Sequence, residues 1–280
     1  MIALFTDSAS QMPASLAAQL GAVVVPVTVT VDGVDHLEGI GLTADAFYAR
    51  LDAAEELPTI STAQPAASAF VSAFETEINA GATGLLAVLV GSAYSGAVNS
   101  AEVAAATVCR RFPDVDIEIV DSGTASFGIS CAVWAAGSAL AAGASLLGAK
   151  QAALDRAAQT GSVFMIDGTE LARRSGRFGD VDLGSGIPVL ASGPEGLTSL
   201  GDVQNIDAGV DLMARELLGR STRVVVAVGR ASAATDPVTD ALLARLQGAP
   251  SVAELVEYRV GPSIAAHTGP NTVGGFSFPA

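Results

Sequence analysis

Short apolar runs alternate along the first half of the chain with longer stretches whose apolar residues recur every three or four positions. Residues 2–5 (IALF), 85–90 (LLAVLV) and 117–120 (IEIV) predict strands. Residues 22–31 (AVVVPVTVTV) form a largely β-branched run, and Pro26 within them predicts an edge strand or a bulge. Between these runs, residues 13–20 predict a helix opened by Pro13, and 43–51 a helix capped by Thr43. Residues 66–79 predict an amphipathic helix with Phe70 and Phe74 one turn apart, and 97–110 a further helix. Strands alternating with helices predict a mainly parallel sheet covered by helices on both faces.

The pattern changes in the second half. Residues 122–149 carry no charge and predict a buried helix, followed by another at 147–159. Their content of Ala, Gly and Ser supplies too little transfer energy for stable membrane insertion. Strands are predicted at 162–166, 223–228 and 252–260, and helices at 206–218 and 237–246. A short helix is expected to begin over 169–174. Residues 185–200 read as short strands around a Gly-Pro-Glu-Gly hairpin turn. The closing stretch PSIAAHTGPNTVGG reads as turn-rich. The fold class expected is α/β in two domains: an N-terminal α/β domain over 1–160 and a C-terminal α+β domain over 161–280.

Composition narrows the function classes. Fourteen basic against 29 acidic residues give a net charge of −15, which repels phosphate backbones and anionic headgroups and excludes nucleic acid as the expected partner. Cys109 and Cys131 stand in no CxxC or His-rich cluster. No metal and no cofactor are therefore expected, and the thiols read as free in a reducing compartment. The opening MIALFTDSAS has neither a basic leader region nor a cleavage site, so a cytoplasmic protein is expected.

Three stretches concentrate small polar residues after apolar or extended runs: Ser61-Thr62-Ala63-Gln64-Pro65, Ser92-Ala93-Tyr94-Ser95-Gly96 and His267-Thr268-Gly269-Pro270-Asn271-Thr272. None contains Lys or Arg, which argues against a phosphate cradle, and no P-loop or dinucleotide fingerprint is present. Neither Ser92 nor Ser95 sits in a nucleophile elbow. With only His36 and His267 in the chain, a serine hydrolase acting on a small apolar ester or acid derivative would have to pair its serine with one of them, His267 being the candidate. Ser95 also reads as a helix N-cap, and such a helix end attracts carboxylates without a formal positive charge.

The chain resembles the DegV family, fatty-acid-binding proteins that serve as lipid-carrying subunits of bacterial fatty acid kinase. The motifs occur in order: Thr6-Asp7-Ser8 resembles its T-D-S opening, Thr62-Ala63-Gln64-Pro65-Ala66 its T-S-Q-P-S, and Tyr94-Ser95-Gly96-Ala97 its L-S-G-T. Ile119-Val120-Asp121-Ser122 resembles its V-I-D-S, Ser175-Gly176-Arg177-Phe178 its G-G-R-I, and His267-Thr268-Gly269-Pro270 its H-x-G-P. The resemblance implies a long-chain fatty acid such as palmitate in an apolar tunnel between two domains. It implies Thr62, Ser95 and His267 as carboxylate ligands, with Ser61, Ser92, Gly96 and Arg177 as supporting positions. It further implies a non-enzymatic, lipid-binding protein that presents the carboxylate to a separate ATP-dependent fatty acid kinase for acyl-phosphate formation, serving phospholipid metabolism. A carrier of some other apolar acid, with no kinase, is the plainer reading. The chain departs from the family where Ala63 and Ala66 replace serines. It departs again over 201–211, which lacks a basic pattern and has Asn205 about where an arginine is expected.

Overall fold

The computed structural model describes residues 1–166, 173, 176–178, 181, 186–193 and 196–280. The helix expected over 169–174 lies outside the described residues except for Arg173, as do Ser175 and the two central residues of the Gly-Pro-Glu-Gly turn. The chain divides into two compact units, one of residues 1–42 and 59–157, the other of residues 43–58 and 158–280.

The first unit contains β1 (Ile2–Asp7), α1 (Ala14–Leu20), β2 (Ala22–Val25), β3 (Thr28–Val31) and β4 (Val34–Leu37). After α2 (Ala44–Asp52), which belongs to the second unit, it continues with β5 (Ile60–Ala63), α3 (Ala67–Asn79), β6 (Gly84–Leu89), α4 (Ala97–Cys109), β7 (Asp116–Asp121), α5 (Phe127–Ala141) and α6 (Leu146–Gln159). Its main sheet is parallel throughout, in the order β2-β1-β6-β7. Phe70 and Phe74 of α3 and Ala101, Ala104 and Val108 of α4 pack on Phe5, Leu85, Ala87 and Leu89. The ring of Phe74 meets that of Phe5 edge-on at 4.9 Å. The uncharged α5 packs against β1 and β6 and is almost wholly buried along its first turns. Parallel strands buried on both faces account for the unbroken apolar run of β6.

The β-branched run 22–31 is not one strand. Pro26 offers no N–H for a ladder, and the chain leaves the parallel sheet there. β2 ends as its edge strand, while β3 enters a separate three-stranded antiparallel sheet ordered β4-β3-β5.

The second unit adds β8 (Gly161–Met165), β9 (Ile187–Gly193), β10 (Gly196–Val203), α7 (Ile206–Leu218), β11 (Val224–Arg230), α8 (Asp236–Gln247), β12 (Val252–Arg259), α9 (Pro262–Thr268) and β13 (Val273–Pro279). Its six-stranded sheet runs β10-β9-β8-β13-β11-β12, antiparallel except between β11 and β12. Val210, Met213 and Leu217 of α7 and Leu242 and Leu246 of α8 close one core over Val163, Val189, Val226 and Val273. Asn205 caps α7, its Oδ1 accepting the Ala208 N–H at 2.9 Å.

The closing stretch departs from the expectation of turns. It forms α9 and then β13, which lies between β8 and β11. Gly274 and Gly275 are a packing requirement there, not a turn signal. A Cβ on Gly274 would fall inside contact distance of the Val163 carbonyl and Phe164, and one on Gly275 would meet the Ala227 carbonyl oxygen.

Candidate functional site

In the parallel sheet the chain moves from β1 outward to β2, then returns to lay β6 on the other side of β1. The connections after β1 and β6 therefore depart in opposite directions. Open α/β sheets hold ligands in the crevice at the carboxyl ends of such strands. Here those ends carry Asp7-Ser8-Ala9-Ser10 after β1 and the turn 91–96 after β6, which holds Ser92 and Ser95.

The turn folds on itself through the Gly91 carbonyl, which accepts the N–H groups of Tyr94 (2.9 Å) and Ser95 (3.2 Å). Gly91 is required by close approach, since a Cβ there would stand 2.8 Å from the backbone carbon of Gly123. The N-cap of α4 is Gly96, one residue beyond the serine expected to cap it. Ser95 still serves the helix start, its Oγ accepting the Ala97 N–H at 3.3 Å. Its half-buried hydroxyl lies at the positive end of the thirteen-residue α4.

Thr62 reaches its place on β5, where β3 pairs Val29 with Thr62 and Thr30 with Ser61. Side chains alternate along a strand, so Ser61 and Thr62 face opposite ways; Ser61 is exposed and Thr62 half-buried. Gln64, just past β5, brings this strand to the turn. A Cβ on Gly96 would stand 2.9 Å from Gln64 Nε2, so the side-chain amide packs closely against Gly96. The first unit thus joins the Thr62 segment to the Ser92–Gly96 turn, a surface of hydroxyls, amides and a helix end.

Carboxylates brace this surface. Asp7 Oδ1 accepts the Ala9 N–H (3.0 Å) and Oδ2 the Val90 N–H (2.9 Å). Burial pushes the Asp7 carboxyl up to about 7; the two N–H bonds oppose that rise and the charge of Glu38 adds to it. Glu38, buried itself, accepts the Ser8 hydroxyl, which in turn accepts the Val27 N–H at 2.9 Å. Asp121 Oδ1 accepts the N–H groups of Ser92 (3.2 Å) and Gly123 (2.9 Å). Sequence reasoning placed Asp7 and Asp121 in family motifs but gave them no task. Thr6 of the opening motif and Ser10 just after it are fully buried, with hydroxyls that meet no partner among the described residues.

His267 and Arg177 belong to the second unit. His267 lies in the last turn of α9, half-buried. Burial first, and the positive charge of Arg177 second, hold its imidazole down at about 4. The ring is therefore neutral at pH 7, offering one donor and one acceptor. A general base is most effective with a value near the working pH, and a value near 4 lies well below it. Among the described residues no group of His, Cys, Asp and Glu is placed to hold a metal ion, and no helix is long and apolar enough to cross a membrane.

A family model described as "Uncharacterised protein, DegV family" matches residues 1–186. The chain belongs to the DegV family. A DegV domain-containing protein of Streptomyces coelicolor is 28% identical over 286 residues, 98% of this chain and 96% of that one. A second, of Mycobacterium tuberculosis, is 26% identical over 283 residues, covering 98% of this chain and 95% of the relative. Among solved structures, a DegV family protein from Thermus thermophilus described by its fatty acid binding is 25% identical. It superposes with a TM-score of 0.84 over 100% of this chain and 99% of its own. DegV of Bacillus subtilis, described as a fatty acid binding protein, has a TM-score of 0.86 over 100% and 99%; at 18% identity that likeness shows the DegV fold alone.

Proposed function

We propose that this DegV protein binds a long-chain fatty acid such as palmitate, with Thr62 and Ser95 hydrogen-bonding the carboxylate and His267 supporting it. Gly96 and Ser92 support through the turn backbone, Arg177 through its charge, and Ser61 through the pairing of β5. The observation that carries the reading is the seating of Gln64 on Gly96, which joins the Thr62 strand to the Ser95 turn at the switch point of the sheet. The fatty acid binding described for the Thermus thermophilus relative supports it.

The energetics suit a site built without a cation in the first unit. Burying roughly a dozen methylenes contributes on the order of 10 kcal/mol at about 0.8 kcal/mol each. Desolvating the carboxylate costs several kcal/mol, and two or three hydrogen bonds to it return about 1.5–3 kcal/mol each. The tail supplies affinity; the hydroxyls and the end of α4 fix which end is held. A neutral His267 adds a hydrogen bond and leaves Arg177 as the nearby positive charge.

The bound carboxylate is then presented to a separate ATP-dependent fatty acid kinase, which forms the acyl phosphate; the carrier itself performs no chemistry and works in the cytoplasm, feeding phospholipid metabolism. Native mass spectrometry of the purified chain, followed by lipid extraction, tests the binding. A one-to-one adduct of fatty-acid mass is the expected result, and a bare mass that persists after incubation with several fatty acids would overturn it. Phosphorylation of the carried acid by a fatty acid kinase tests the second step.

A further inference from the structure

Three successive backbone N–H groups at the end of β6 are taken by the strands on either side of it. Val90 donates to Asp7 Oδ2 at the end of β1 (2.9 Å), and Gly91 to the Thr124 carbonyl beyond β7 (2.7 Å). Ser92 donates to Asp121 Oδ1 at the end of β7 (3.2 Å). Because β6 lies between β1 and β7, the grips come from opposite sides. The next bonds along the chain close the turn itself, from Tyr94 and Ser95 to the Gly91 carbonyl, and Ser95 then accepts from Ala97.

We infer that Asp7 and Asp121 are positioning residues that fix the turn carrying Ser95, so that its hydroxyl is set to meet a ligand carboxylate. This rests on the fatty-acid reading above. Neither aspartate touches the ligand; each acts through the backbone of residues 90–92. A carboxyl as deeply buried as Asp7, beside the charge of Glu38, is costly to keep, and what it supplies is acceptors for two N–H groups that lie just past the ends of two different strands.

The two aspartates differ in a way that makes the inference testable. Asp121 uses one oxygen for both of its N–H donors, so an asparagine can reproduce the contact. Asp7 uses both oxygens, so an asparagine must turn its NH2 toward an N–H. The test is calorimetric titration of the full chain and its Asp121→Ala, Asp121→Asn and Asp7→Asn variants with palmitate, alongside amide hydrogen exchange at Val90 and Ser92–Ser95. Asp121→Ala is expected to weaken palmitate binding about tenfold, the size of one lost charge-assisted hydrogen bond, and to speed exchange at Ser92. Asp121→Asn is expected to restore most of that loss, whereas Asp7→Asn weakens binding as Asp121→Ala does. Wild-type affinity in Asp121→Ala, or equal damage from Asp121→Asn and Asp121→Ala, would overturn the inference. If the wild-type chain takes up no palmitate, the fatty-acid reading fails by itself. The positioning role is then decided by exchange alone: faster exchange at Ser92 in Asp121→Ala supports it, and unchanged protection overturns it.

Discussion

The Tyr48 hydroxyl donates to the Val260 carbonyl at 3.0 Å, joining residues 212 positions apart. Arg259 lies over the same ring at 5.3 Å and binds Asp45 at 2.6 Å, so α2 is fastened to the end of β12 by one aromatic residue and one arginine. Tyr48→Phe leaves the Val260 carbonyl without this donor and is expected to cost about 1–2 kcal/mol in urea unfolding. Asp45→Ala removes a largely exposed ion-pair partner and should leave the same curve nearly unmoved. Equal losses from the two would show that charge, not the buried hydroxyl, fastens the helix.

On the proposed site, Thr62→Ala combined with Ser95→Ala is expected to abolish measurable palmitate binding, because both proposed hydroxyl donors to the carboxylate go together. Ser95→Ala alone also removes the acceptor of the Ala97 N–H and should cost the fold about 1 kcal/mol. Undiminished affinity in the double variant would remove the site from these residues.

Acid–base behaviour separates the two units. His267 sits near 4 against an ordinary 6.5, so it contributes stability that is present above 6.5 and lost as pH falls toward 4. Asp7, raised from 3.8 to about 7, has the opposite sign: its contribution is complete below 3.8 and lost as pH rises through 7. Relative to the parent, His267→Gln should lose stability most at the upper end of the 4–6.5 window. Asp7→Asn should fare relatively better as pH rises from 4 to 7. Urea midpoints taken in small pH steps give these difference curves, and two flat differences would contradict both assignments.

Gly274→Ala places a methyl group against the Val163 carbonyl and the Phe164 backbone. Both belong to β8, a ladder partner that cannot swing aside. A loss of about 2–3 kcal/mol is expected, read from the denaturation midpoint. The alanine at exposed Gly248, where the nearest atom is 3.9 Å away, is the control.

A fluorophosphonate probe is expected to leave Ser92 and Ser95 unlabelled. An imidazole held down at about 4, by burial first and the charge of Arg177 second, is too weak a base to activate either hydroxyl. Stoichiometric labelling would restore the hydrolase reading.

What the sequence revealed divides along the range of the interactions. The strand read at 85–90 and the helices with Phe70 and Phe74 or the Thr43 cap are local patterns, and the structure matches them to within a residue or two, the strand lying at Gly84–Leu89. The split at Pro26 was visible as a disruption, but not as a change of sheet. Gly274 and Gly275 misled because a glycine forced by a neighbouring strand looks like one that serves a turn. Asp7 was likewise visible only as a letter in a motif, since its bond to Val90 spans 83 positions. The crevice beside β1 could not be read at all before the strand order was known. Asn205, where the family pattern has a basic residue, proves to be occupied as the cap of α7, so an arginine there would cost the helix its cap.

The excursion of residues 43–58 has a consequence for how the molecule is made. α2 leaves the ribosome among residues of the first unit, yet Val260 follows Tyr48 only 212 residues later and Arg259 follows Asp45 only 214 later. At roughly 5–20 residues per second, Tyr48 waits on the order of 10–40 s for its partner. The first unit must close its parallel sheet around an unfastened sixteen-residue excursion, then release that segment to a neighbour that does not yet exist. A fragment ending at 157 would carry α2 permanently without those anchors, and a fragment beginning at 158 would lack α2 altogether. The two units are divided in space along lines that cross the order in which the chain is made.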